Sequence, residues 1–393
     1  MADDVAVNFL VARVLKYLKW DQNSFYFETP VNRHYLDLSL NEGLAGALIV
    51  LKNLSVAGML EPSIKEHVEL VLDSFSSRFN KCIQNDASQF EKLSKSGVNL
   101  LELPFVSLGS NRGFSSLIKV IEPHAEEELL FLAFEDFDKK SVKLMSEIHN
   151  STAFSVYGGI SGFLNEFVER PAADQFIKER LGQLLEFFSE CPIAYRKGTH
   201  PGGGFAWGIE GVMYALARLS RKFVDFRPIF LEILKTYKEE EQDLEPETQF
   251  GLCHGHAGRI RMSLAAINSN IESEYFWGLI NDSLSRFNSD EFKQSIVHKA
   301  MLHCCGIGAI IDVLQQLREH ESIFSHFDVN ELFLNCSKSF DKVTERFSSN
   351  LALNRYLMTV LVFTSGYTMN RGIVGHVYGL LRKKSLMKSV YPV

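Results

Sequence analysis

The sequence predicts an all-α fold, an (α/α)6 toroid in one domain spanning residues 1–393, with an insertion near residues 80–140. Three observations predict it. A Gly-x-x-Gly step followed by an apolar run recurs six times. The later copies are spaced as two helices plus their connections require. Cysteines stand at matched positions in two adjacent copies.

The copies read EGLAGALIVL (42–51), GGISGFLNEF (158–167), WGIEGVMYAL (207–216), HGHAGRIRMSL (254–264), CGIGAIIDVL (305–314) and RGIVGHVYGLL (371–381). In the fifth, Gly308 comes one residue early and Ala309 holds the second small position. From the second copy on, the first glycines are 49, 47, 51 and 66 residues apart. The first glycine is expected to take positive φ in the turn, and the second to let neighbouring helices approach closely. The runs after the glycines carry few charges, so they form an inner layer, with more polar helices outside. An open helical solenoid would share this pattern. Cysteines at equivalent places in neighbouring repeats favour a ring, where such positions meet at one end.

Between the first two copies the spacing is 116 residues, over twice the unit. The insertion includes 97–123, where β-branched and aromatic residues alternate with Gly and Pro and predict a few strands. Elsewhere helical spacing dominates, at 5–20, 179–190, 226–240 and 310–321. The acidic stretch 239–247 reads as a solvated linker.

Composition excludes several function classes. A net charge of −7 argues against nucleic acid as a partner. No stretch approaches the ~18–20 apolar residues of a membrane span. The first residues show no secretory signal, so the six cysteines are expected to be reduced and the compartment cytoplasmic.

Chemistry concentrates in GLCHGHAG (251–258) and LHCCGIGAII (302–311). Cys253 and Cys304 each stand two residues before a motif glycine, and Cys305 follows directly. Thiolates are soft ligands, and Zn²⁺ in a catalytic site takes three protein ligands plus an open position. A separation of 51 residues between Cys253 and Cys304 is too long for a zinc finger and suits a site assembled from two elements. Cys82, Cys191 and Cys336 read as small core hydrophobes. His254, His256 and His303 lie beside the cysteines and are the candidate catalytic acids; His200 is a further one, and His376 reads as packing. Trp207 reads equally as filler or as an aromatic wall, and Glu42 and Arg371 as mouth residues or solvated ones.

Six such motifs in order, with Cys-His-Gly in the fourth and Cys-Cys-Gly in the fifth, resemble the lanthionine synthetase C-like cyclases over about residues 37–382. The resemblance implies an α/α toroid with bound zinc. It also implies addition of peptide cysteine thiols to dehydroalanine or dehydrobutyrine, the thioether-forming step of lantibiotic biosynthesis. Cys253, Cys304 and Cys305 are similar to the three-cysteine zinc site in the cyclase domains of fused lanthipeptide synthetases. The implied substrate is a precursor peptide, a leader plus a dehydrated core. The implied partners are a dehydratase and an exporter, hence a membrane-bound biosynthetic complex. The chain departs from the family pattern where Ser155 replaces an Asp, Trp207 a His and Gln249 an Arg. Three functions therefore stay open: a zinc-dependent peptide cyclase, a relative that adds glutathione, and a zinc-stabilised scaffold that binds peptide without catalysis.

Overall fold

The computed structural model describes residues 2–20, 25–28, 33–35, 44–84, 130, 133–135, 137–138, 141–142, 145, 151–191, 204–240, 250–290, 292, 306–319, 328–347 and 373–386. The expected strands at 97–123, and Glu42, His200, Gln249, His303, Cys304, Cys305 and Arg371, lie outside the described residues, as does the side chain of Cys82.

Six helices begin at the residue after the first glycine of each motif: α2 (Leu44–Val56), α4 (Ile160–Phe167), α7 (Ile209–Lys222), α9 (His256–Asn268), α11 (Ile307–Glu319) and α13 (Ile373–Lys383). They form the inner layer, as their sequences predict. In α7, α9 and α11 every residue of the stretches 209–219, 256–267 and 307–317 is buried, so these helices are enclosed on all sides. Neighbours pack in the order α4, α7, α9, α11, α13, α2.

The outer layer comprises α3 (Pro62–Gln84), α5 (Pro171–Glu179), α6 (Leu181–Ser189), α8 (Phe226–Glu240), α10 (Ser273–Phe287) and α12 (Val329–Phe347). These helices are amphipathic. In α10 only Phe276, Leu279, Ile280, Ser283, Leu284 and Phe287 are buried, one stripe at helical spacing. The N-terminal helix α1 (Ala2–Tyr17) packs on α13 and so serves as the last outer helix. Asn8 fixes its place: the side-chain amide donates to the Met59 carbonyl at 3.0 Å and accepts from the Glu61 N–H at 2.7 Å.

The helix expected over 5–20 ends at Tyr17. Leu18–Trp20 is instead the first strand (β1) of an antiparallel meander with β2 (Phe25–Glu28) and β3 (Arg33–Tyr35), in register Leu18↔Phe27 and Tyr26↔Tyr35. An apolar run of a few residues carries no reliable period, and its strand character is set by partners further along the chain.

The two glycine roles differ from expectation. Gly159, Gly208 and Gly255 have φ of −111°, −104° and −147°, so the first glycine is an extended N-cap and needs no positive φ. The second glycine is required by close approach, but mainly to loops. A Cβ on Gly211 would lie 2.0 Å from the Phe205 carbonyl oxygen and 2.9 Å from Val156 Cγ2. On Gly258 it would lie 2.3 Å from the Leu252 carbonyl oxygen and 2.7 Å from Phe205 Cβ. In both cases the first turn of the helix rests on its own leading loop and on the loop of the preceding repeat. Helix–helix approach occurs instead at Gly379, where a Cβ would stand 2.8 Å from the Phe340 ring of α12 and 3.7 Å from Gly308 Cα of α11.

Buried charges tie the inner helices together. Asp312 of α11, fully buried, accepts from Arg261 of α9 (2.8 Å), Tyr378 of α13 (2.8 Å) and Arg382 of α13 (2.6 Å). Glu210 of α7 accepts from Tyr237 of α8 (2.9 Å) and Arg259 of α9 (3.2 Å). Arg218 of α7 donates to the carbonyl oxygen of Asn165 in α4 at 3.1 Å and to its side chain.

Removing one member of a buried ion pair strands its partner, at about 3–5 kcal/mol. Asp312→Ala is therefore expected to lower unfolding free energy by that amount in urea titration. Gly211→Ala is expected to lose about 3 kcal/mol or more, because backbone carbonyls cannot move aside. Gly278→Ala, on an exposed helical position with open space around it, should gain about 0.5–1 kcal/mol.

Candidate functional site

The second, third and fourth motif loops stack in register. The Tyr157 N–H donates to the Ala206 carbonyl at 3.1 Å, and the Ala206 N–H donates to the Cys253 carbonyl at 3.2 Å. Tyr157, Ala206 and Cys253 each stand two residues before their motif glycine. The ladder thus converts a sequence equivalence into a spatial one and sets the N-termini of α4, α7 and α9 side by side. Those termini carry the positive ends of the helix dipoles beside Cys253.

Cys253 is 6% exposed. Its Sγ lies 3.5 Å from the Tyr157 hydroxyl, which reaches across the third repeat, where the position between them is held by the small Ala206. Trp207, half-buried, presents its ring edge-on to Tyr157 at 5.6 Å between centroids. His254 is exposed. Beneath the pair lies Gly204, at φ +130°, a conformation that suits glycine. A Cβ there would come within 2.5 Å of the Cys253 carbonyl oxygen and 2.9 Å of His254 Nδ1, so the third loop is pressed directly against Cys253 and His254.

The other histidines occupy different surroundings. His256 is 1% exposed, its Nδ1 3.1 Å from the Ser283 hydroxyl of α10, with its ring between Phe250 and Phe287. Burial, with the positive charges of Arg259 and Arg286, pushes its pKa down to about 4. His376 stacks on Phe340 at 4.4 Å and pairs with Thr344 at 2.9 Å; burial lowers its pKa to about 3. Both belong to the packing between inner and outer helices. Cys191 and Cys336 are free, buried thiols whose pKa values burial raises to about 12, as suits core filling. Ser155, where the family resemblance leads one to look for an Asp, is fully buried; its hydroxyl accepts from the Gly158 N–H at 3.0 Å and its carbonyl from the Gly159 N–H at 3.0 Å.

Of the three cysteines expected to hold zinc, only Cys253 is described. Among the described residues no group of three His, Cys, Asp or Glu side chains is placed to hold a metal. The donor chemistry at Cys253 fits one ligand of a zinc site: a buried sulfur at a helix N-terminus, held by a rigid loop ladder. Sequence reasoning passed over Tyr157, although its position two before Gly159 matches that of Cys253 and Cys304 and could have marked it. Among the described residues no helix is long and apolar enough to cross a membrane.

Because His256 and His376 stay neutral in the fold, the unfolded chain binds protons near pH 6.5 that the native state refuses until about pH 4 and about pH 3. Their contribution is complete above pH 6.5 and falls as pH drops toward those values. The urea midpoint is expected to fall across that window, with a shallower fall in His376→Gln.

The sequence profile of lanthionine synthetase C-like proteins matches residues 73–392. No curated protein matches the chain in sequence. Among solved structures, nisin cyclase is similar in fold, with a TM-score of 0.56 over 90% of each chain at 14% identity. A toroid of inner helices entered through stacked Gly-x-x-Gly loops, matched by the family profile over most of its length, makes this chain a member of the lanthionine synthetase C-like protein family.

Proposed function

We propose that the protein is a zinc-dependent peptide cyclase that adds cysteine thiolates of a precursor peptide to dehydroalanine or dehydrobutyrine, forming lanthionine or methyllanthionine rings. The observation that carries the reading is the loop ladder, which holds Cys253 buried and His254 exposed at the head of the inner layer in a chain of this family. The fold shared with nisin cyclase, a cyclase by its name, supports it.

In this reading Cys253, Cys304 and Cys305 hold Zn²⁺. Bound there, the metal would supply the positive charge that keeps an incoming peptide thiol deprotonated near neutral pH. The chain's own residues do the rest. The inner-helix N-termini and the buried position of Cys253 keep the ligand sulfur dry and fixed. Trp207 and Tyr157 form an aromatic wall beside it. Addition of the peptide sulfur to the β-carbon opens the carbon–carbon double bond and leaves an enolate, and His254 delivers the proton to its α-carbon. His254 is preferred over His256, whose ring is engaged by Ser283 in the packed interior. His303, beside Cys304, is the alternative donor. Substrate arrives as a leader-bearing, dehydrated precursor, with a dehydratase and an exporter as the proposed partners.

One observation favours a second reading, a zinc-stabilised scaffold that binds peptide without catalysis: the position where the family carries an Asp is a buried serine engaged with its own loop. X-ray absorption at the zinc edge, on wild type and Cys304→Ala, separates the two. One zinc per chain with three sulfurs and one exchangeable light ligand is expected of the cyclase, with zinc lost in the variant; a closed site without an exchangeable ligand supports the scaffold. His254→Ala is expected to keep its zinc and to lose ring formation on a dehydrated precursor, by about 10²–10⁴-fold if it is the proton donor. Full activity in that variant would move the role to His303.

A further inference from the structure

We infer that Tyr157 is a positioning residue for the proposed zinc site, holding the Cys253 sulfur through its phenol hydroxyl. The inference rests on the cyclase reading only in taking Cys253 as a metal ligand.

The geometry that carries it is the contact across one full repeat. Tyr157 stands in the second motif loop and Cys253 in the fourth, 96 residues apart, yet hydroxyl and sulfur lie 3.5 Å apart, within hydrogen-bonding range for sulfur. Both groups are almost fully buried, at 3% and 6% exposure. The arrangement depends on three features of this chain. The backbone ladder aligns positions 157, 206 and 253. The intervening position in that ladder is the small, buried Ala206. Trp207 braces the tyrosine ring from its edge.

The chemistry follows from what each group can donate. With Cys253 as a thiol, the S–H donates to the phenol oxygen. A metal-bound sulfur would be acceptor-only, and the phenol O–H would donate to it. A neutral donor aimed at a metal-bound sulfur would spread its charge and fix its direction. Groups that hold a metal ligand in this way typically change metal affinity 10–100-fold when removed.

The test loads the full chain with cobalt(II), whose sulfur-to-metal charge-transfer band reports the electron richness of the ligand sulfurs, and measures zinc affinity by competition with a chelator. Tyr157→Phe keeps the ring and its edge contact and removes only the hydroxyl. The expected result is a band moved to lower energy and zinc affinity weakened about 10-fold, with both restored toward wild type in Tyr157→His, which retains a donor. An unchanged band and affinity in folded Tyr157→Phe would overturn the inference while leaving the zinc site standing. Absence of cobalt and zinc binding in the wild type sinks the metal reading itself, and this inference with it. A second readout needs no variant: zinc loading of the wild type reverses the hydrogen bond and should produce a tyrosine difference band in the near ultraviolet. A wild type that binds zinc without that band overturns the assignment even if Tyr157→Phe does not fold.

Discussion

Everything at the head of this toroid depends on a missing Cβ. At Gly211 and Gly258 the first turn of an inner helix sits directly on the carbonyl of its own leading loop and against the preceding loop, at distances no side chain would tolerate. That contact locks the second loop to the third and the third to the fourth. The backbone bonds from Tyr157 to Ala206 to Cys253 follow from it, and so does the approach of residues from separate repeats. A repeat protein places a site by repeating a contact, and here the contact is backbone on backbone, which is less yielding than any packing of flexible side chains.

Between neighbours the inner helices are also joined by ions. Asp312 gathers Arg261, Tyr378 and Arg382 from two neighbouring helices, and Glu210 does the same for Tyr237 and Arg259. Such pairs add little net stability over a well-packed apolar core, since desolvation offsets much of their attraction. What they add is discrimination: an apolar helix can rotate or slide against another at small cost, whereas a buried carboxylate must meet its arginine. The neighbours α7–α9, α9–α11 and α11–α13 are specified in this way, and Arg218 with Asn165 specifies α4–α7.

How much of this was legible in the chain varied with the range of the interaction. The inner helices follow each Gly-x-x-Gly step as the six copies predict, but the extended N-cap at the first glycine was not read, since a glycine alone does not say which φ it takes. The outer helix over 226–240 was legible from its apolar spacing and matches α8 throughout. The short strand Leu18–Trp20 was not, because its partners define it. The buried ions were visible as isolated charges within apolar runs, but nothing local says that Asp312 faces Arg261 and not solvent. Cys253 stood out by its motif. Tyr157 did not, because its significance comes from reaching over Ala206 to a sulfur 96 residues away.

By itself the sequence determined the repeat, its helical layers and its family, since these rest on patterns within about fifty residues. It also determined that cysteines stand at matched positions in adjacent motifs. Only the tertiary structure decided that Gly211 and Gly258 serve loop stacking, that His254 is exposed while His256 is buried, and that a phenol meets the Cys253 thiol. The physical reason is the same in each case. A local pattern sets which way a residue faces within its own repeat, but exposure, pairing and proximity are properties of neighbouring repeats, and those meet only when the ring is packed.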